Sequence, residues 1–120
     1  MDRETALEIH ELHARICKAI ADPKRLLIIN ELRTTPMTVG ELSTALGISQ
    51  SNCSQHLAIL RDRGVVNAER SGTNVRYSLR SQKVVQAVDL LREFMAEDLG
   101  TRSRLGRAAT RTPRRLARGG

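Results

Sequence analysis

A chain of 120 residues is long enough for one hydrophobic core and short for two, and with Tyr77 and Phe94 as its only aromatic residues that core must rest on Leu, Ile and Val. No apolar run is long enough to span a bilayer and no signal-peptide pattern opens the chain; two cysteines are too few for a disulfide scaffold, so the composition points to a reduced, cytoplasmic protein with no membrane partner. The net charge of +7 is unevenly spread: residues 101–120 hold seven arginines and no acid, leaving 13 bases against 13 acids in residues 1–100. Within that neutral part, residues 51–83 carry six bases (Arg61, Arg63, Arg70, Arg76, Arg80, Lys83) against Asp62 and Glu69, a local excess suited to neutralising phosphates.

Residues 4–21 read as a helix, with Ile9, Leu12, Ile16 and Ile20 at helical spacing and Glu8, Glu11, Arg15 and Lys18 off the stripe. Asp22-Pro23 ends it and starts another, Asp22 as N-cap and Pro23 at the first helical position. The run Leu26-Leu27-Ile28-Ile29 is apolar enough for a strand, but the cap before it and Glu31-Leu32-Arg33 after it favour a buried helix ending near Thr34-Thr35-Pro36.

Residues 38–63 read as two short amphipathic helices around a tight turn. Val39, Leu42 and Leu46 make one apolar face, Thr38 and Glu41 have the spacing of a capping box, and Gly47 supplies the backbone needed just past a helix end. Ser49 then caps a helix whose inward face is Cys53, Leu57 and Leu60. Its outward face is Gln50, Ser51, Asn52, Ser54, Gln55 and Arg61, short polar groups able to bond base edges or phosphates with few acids to repel a polyanion. An apolar back, an amide- and hydroxyl-rich front and a glycine turn before it make the helix-turn-helix pattern.

After Gly64 the period changes from about 3.6 to 2. Residues 65–70 and 75–80 flank Ser71-Gly72-Thr73-Asn74 as a hairpin, with Val75, Tyr77 and Leu79 on one side and Arg76, Ser78 and Arg80 on the other. Behind a recognition helix such a hairpin is a wing able to lay Arg70, Thr73, Asn74 and Arg76 along the backbone or minor groove; the alternative is an ordinary solvated hairpin. Residues 81–99 form the last helix. Val84, Val88, Leu91 and Met95 make a seam that Val85, Ala87, Leu90 and Phe94 widen, more apolar surface than so small a domain covers by itself. With the stripe on the first helix, it predicts a two-fold dimer through the two terminal helices; a helix that merely caps its own core is the alternative. The prediction is mainly α with a small β-hairpin (an α+β, winged helix-turn-helix fold), in the order four helices, two strands, one helix. Residues 1–100 form the DNA-binding and dimerisation domain, and 101–120 an Arg-rich, disordered tail adding salt-sensitive DNA affinity.

This order, with residues 21–28 (Ala-Asp-Pro-Lys-Arg-Leu-Leu-Ile) and 48–57 (Ile-Ser-Gln-Ser-Asn-Cys-Ser-Gln-His-Leu), resembles the ArsR/SmtB family of dimeric repressors over residues 5–98. The resemblance implies a winged helix-turn-helix homodimer on a near-palindromic double-stranded operator, released when an inducer binds. By position, Gln50, Ser51, Ser54, Gln55 and His56 match the family's base- and phosphate-contacting residues, and residues 70–76 its wing. The sequence departs from the family's sensor sites. Residues 37–42 lack a Cys-x-Cys pair, the last helix has Asp89, Glu93 and Glu97 but no His, and the cysteine pair that some persulfide sensors divide between the second and last helices is missing.

No metal is expected at those sites. His10, His13 and Cys17, at i, i+3 and i+7 on the first helix, form a candidate set for zinc, copper or nickel with a ligand from the partner chain, or else two solvated histidines and a thiol at the interface edge. Cys53 either packs the core or, with Cys17, is a redox candidate whose oxidation would displace the recognition helix. His56 either contacts DNA or caps local packing. Two other classes compete with the repressor: a non-specific nucleic-acid-binding, nucleoid-associated module driven by the Arg-rich tail, and a thiol or metal enzyme. No nucleophile, base and orienting acid converge in the sequence, so it is not read as an enzyme.

Overall fold

The computed structural model describes residues 2–106. Its first helix, α1 (Arg3–Ile20), begins at Asp2, whose Oδ1 accepts the Thr5 N–H at 2.8 Å. The second, α2 (Pro23–Glu31), begins at Asp22, whose carboxylate accepts the Lys24 and Arg25 N–H groups at 2.9 and 3.2 Å, with Pro23 in the first turn. Helix ends leave amides without intrahelical partners, and short acidic side chains satisfy them here, as the sequence predicts for Asp22 but not for Asp2. The α2 helix ends at Glu31, three residues ahead of Thr34.

A strand that the sequence does not predict follows. Met37–Thr38 form β1, which pairs antiparallel with the second strand of the hairpin, Met37 opposite Tyr77 and Thr38 opposite Arg76. Two residues are too few to display a period, so only the fold reveals the strand. Thr38 serves twice: it ends β1 and caps α3 (Val39–Leu46) in a full capping box, its Oγ1 accepting from Glu41 N at 3.1 Å and Glu41 Oε1 accepting from Thr38 N at 2.9 Å. Gly47 closes α3 with φ 69°, a left-handed conformation costly for any residue with a Cβ.

Ser49 caps α4 (Gln50–Asp62), its Oγ accepting from Asn52 N at 3.0 Å. The hairpin is β2 (Val66–Ser71) and β3 (Asn74–Leu79), with Ser71 paired to Asn74, so its loop is the two residues Gly72-Thr73 rather than four. Gly72, at φ 66° in the first central position, is what a two-residue hairpin turn of the Gly-X class requires. The predicted two-stranded sheet is therefore a three-stranded one in the order β1-β3-β2.

The last helix, α5, spans Gln82–Gly106. It runs past residue 99, where the sequence places its end, and takes in the first residues assigned to the tail; residues 107–120 of that tail lie outside the described residues. No helix among the described residues is long and apolar enough to cross a membrane.

The core sits between α2, α3, α4 and the base of the sheet: Ile28, Ile29, Leu42, Cys53, Leu57, Leu60, Val65 and Val66, joined by Ala19 of α1 and Val85 of α5. The terminal helices contribute little more. On α1, Leu7, Ile9, Leu12 and Ile16 are exposed, and on α5 so are Leu90, Leu91, Phe94, Met95 and Leu99. Val85 and Val88 pack α5 against the block, and a polar clamp adds to them: Arg33 Nη1 and Nη2 donate to the two oxygens of Asp89, each at 2.8 Å, while Asn30 Oδ1 accepts from Nη2 of the same guanidinium at 2.9 Å.

Candidate nucleic-acid interface

The α4 helix is held by its back. Cys53, Leu57 and Leu60 are fully buried, which turns Ser51, Ser54, Gln55 and Ala58 (i, i+3, i+4, i+7) to solvent on the opposite side. Gln50 and Arg61 are exposed on one flank. Ala58 is absent from the sequence-derived set although its spacing places it there; between polar neighbours it offers the methyl group that an apolar contact with thymine uses. Asp62, also exposed, ends the face with a charge that repels phosphate, so the usable surface is the first two and a half turns.

Asn52 is a correction to the predicted outward face. It lies on the other flank, half-buried, with Oδ1 enclosed and unbonded among the described residues. His56 lies on the same flank, one turn on, and its side chain is 15% exposed. Its Nδ1 is 3.2 Å from Arg25 Nη1. Guanidinium only donates, so Nδ1 is the acceptor, and the 4.0 Å approach of Asp22 Oδ1 to that same nitrogen is proximity rather than a hydrogen bond. Burial raises the Asp22 pKa, but the amides of Arg25 and Lys24 and the charges of His56 and Arg25 outweigh it and hold the carboxyl below its usual range. Neither Arg25 nor its bond to His56 was visible in the sequence, where the two residues stand 31 positions apart.

On the wing, Arg70, Thr73 and Asn74 are exposed, as the sequence predicts. Register separates the two wing arginines. Arg70 sits opposite Val75, one pair from the turn, with no ion pair among the described residues. Arg76 stands between Thr38 and Glu69 on the neighbouring strands, and its Nη1 reaches Glu41 Oε1 at 3.4 Å. Expected as a free phosphate contact, Arg76 instead ties the wing to the capping box of α3 and is compensated by an acid.

The effector candidates separate as well. His10, His13 and Cys17 are all exposed on α1, and no group of three His, Cys, Asp or Glu among the described residues is close enough to hold a metal ion. Spacing over two turns puts the ends of that set roughly 10 Å apart along the axis, beyond the reach of one ion that binds its ligands at about 2.0–2.3 Å. Cys53 is buried, and burial pushes its thiol pKa up, away from the reactive thiolate a redox switch requires; its place is in the core. Cys17 is exposed and borders a 300 Å³ apolar cavity between α1 and α5 with Ile20, Leu26, Val88, Leu91 and Met95. Asp89, one of three acids noted on the last helix, is occupied by Arg33, whose hydrogen bonds hold its carboxyl below the usual range.

Residues 22–68 match the family described as "Bacterial regulatory protein, arsR family", a span from the cap of α2 to the middle of β2. The chain is 36% identical over 89 residues to the HTH-type transcriptional regulator NmtR of Mycobacterium tuberculosis, covering 74% of this chain and 71% of that one. It is 40% identical over 82 residues to the transcriptional activator HlyU of Vibrio cholerae, covering 68% and 76%. Among solved structures, the homodimeric winged helix-turn-helix DNA-binding domain of Mb0332 from Mycobacterium bovis superposes with a TM-score of 0.70 at 31% identity, covering 81% of this chain and 88% of that one.

Proposed function

The chain belongs to the arsR family of bacterial regulatory proteins and is a DNA-binding transcriptional regulator, and from that premise we propose that it acts as a homodimeric, operator-binding repressor, in the cytoplasm with its DNA. The observation that carries the proposal is the pairing of two unlike exposed surfaces on one small molecule: the polar front of α4 with the wing tip, and the apolar stripes of α1 and α5. A single α4 reads only a few base pairs. Two copies joined through α1 and α5 place two such helices in successive major grooves, with half-sites one or two turns apart, each turn roughly 10 bp. The homodimeric state of Mb0332 supports this assembly.

Gln50, Ser51, Ser54, Gln55 and Ala58 read base edges; Arg61, Arg70, Thr73 and Asn74 hold the backbone. Occupying the operator excludes other proteins from the same DNA, which is repression wherever the site overlaps a promoter. HlyU carries the name of an activator, and the position of the operator decides that sign. An inducer releases the DNA by favouring a dimer whose helix spacing no longer fits two grooves; challenge with zinc, copper, nickel, peroxide and persulfide identifies it. Selection from a random duplex pool, with sedimentation of the free protein, tests the assembly: an inverted repeat bound by a dimer is expected. A lone subunit with no preferred duplex overturns it.

A further inference from the structure

One guanidinium joins three helices. Arg25 Nε donates to the carbonyl of Ala19, in the last turn of α1, and Arg25 Nη1 donates to His56 Nδ1 on α4 at 3.2 Å. The backbone of Arg25 is itself fixed by Asp22 Oδ1, which caps α2. The carbonyls in the last turn of a helix lack intrahelical partners, so Ala19 offers a ready acceptor, and it is 1% exposed, a site that does not swing freely.

The apolar contacts that hold the back of α4 are non-directional and do not fix its rotation about its own axis. His56 sits on the flank between the buried stripe and the outward face, where a directional bond does fix it. A rotation of about 20° at a side-chain radius of about 5–6 Å moves the tips of Ser51, Ser54 and Gln55 by about 2 Å, enough to break hydrogen bonds that work only at about 2.7–3.2 Å.

We propose that His56 is a positioning residue for base reading: with Nδ1 as acceptor it locks the rotation of α4 to the end of α1 through Arg25. The inference rests on the proposed operator-binding dimer and adds a link between its two surfaces. The helix that Arg25 grips at Ala19 is the one whose exposed stripe meets the second copy, so a change in subunit pairing reaches the DNA-reading face through Arg25 and His56. The charged groups beside Nδ1 are Arg25, bonded to it at 3.2 Å, and Asp22, whose Oδ1 lies 4.0 Å away, while the Ala19 carbonyl at the end of α1 holds the other side of the Arg25 guanidinium.

Operator and non-specific affinities are measured across salt for the full-length dimer and for His56→Leu, His56→Asn and Arg25→Lys. Asparagine places an amide oxygen near the position of Nδ1; lysine keeps the charge but cannot span both acceptors. His56→Leu and Arg25→Lys are expected to lower the ratio of operator to non-specific affinity by about tenfold, the size of one bidentate base pairing, with the salt slope unchanged. His56→Asn restores most of the ratio. Combining the leucine and lysine variants adds little, because both break one link. An unchanged ratio in Arg25→Lys, read in a dimer of native circular dichroism, overturns the link while leaving the operator reading intact. A salt slope lowered in both His56 variants makes His56 a direct phosphate contact and overturns it too. A wild type without any preferred duplex sinks the operator reading and this link together.

Discussion

The helix-turn-helix block and the two terminal helices are built from the same aliphatic residues and end in opposite conditions. In the block, Ile28, Ile29, Leu42, Leu57, Leu60, Val65 and Val66 are all fully buried. On α1 and α5, Leu12 is 56%, Leu90 64% and Phe94 66% exposed. One region closes a core out of its own chain; the other leaves its apolar side chains exposed, half of a core in the proposed dimer. In the proposed dimer the difference would let the front of α4 be rigid in a single chain while its useful spacing depends on a second copy. It also predicts that substitutions in the two regions fail in different ways.

The sharpest way to break that contrast is to compare one substitution from each side. Leu57→Ala empties a filled site in the block and is expected to lower the unfolding free energy by about 2–5 kcal/mol, a large share of the roughly 5–15 kcal/mol typical of a domain. Urea titrations of Leu57→Ala should give that loss in excess of any loss from dimer dissociation. Leu12→Asp places a charge on the pairing stripe and is expected to raise the dimer dissociation constant at least about thirtyfold, about 2 kcal/mol, while a diluted monomer keeps its helical circular dichroism. Sedimentation equilibrium reads it. If Leu12→Asp unfolds the monomer, or leaves the dimer intact, α1 belongs to the block and the contrast is wrong.

The two regions also differ in how much of them the sequence disclosed. Local chemistry was legible: Asp22, Thr38 and Ser49 cap helices because short polar side chains bond amides two or three residues away, and Cys53, Leu57 and Leu60 face inward because helical period and burial agree. Long-range chemistry was not. Met37–Thr38 is a strand only because β3 lies beside it, Arg25 reaches His56 only because α2 crosses α4, and Arg76 is neutralised by a glutamate 35 positions away. The spacing of His10, His13 and Cys17 taught the opposite lesson: one face of a helix is not one point in space.

On the wing, the contrast between a free and a compensated arginine predicts unequal effects from equal substitutions. Arg70→Ala is expected to weaken every duplex alike and to reduce the salt slope by about 0.9 for each phosphate it no longer neutralises. Arg76→Ala should change the slope by less, since its charge is shared with Glu41, and should loosen the wing instead. Equal slopes would mean that Arg76 leaves Glu41 when DNA binds. Deleting residues 107–120 removes five arginines; operator preference is expected to survive while non-specific affinity falls, and loss of preference would favour the tail-driven reading.

The smallest expected effect lies at the seam where the two regions meet. Arg33, at the end of α2, grips Asp89 on α5 with two hydrogen bonds, and both groups are about one-third exposed, so solvent screens the pair and its contribution is modest. Its pH dependence is nevertheless specific. The hydrogen bonds from Arg33 hold the Asp89 carboxyl below its ordinary value of 3.8, so the pair contributes in full above that value and loses its contribution as pH falls through the lowered one. Asp89→Asn should therefore be less stable than the wild type at neutral pH, and the two urea-unfolding curves should converge in acid, because protonation removes from the wild type what the substitution has already removed. The convergence distinguishes an ionised carboxylate in the seam from simple packing of α5. A gap that stays constant down to strongly acidic pH would mean that Val85 and Val88, not the ion pair, fix α5 to the block, and that the seam is apolar like the regions it joins.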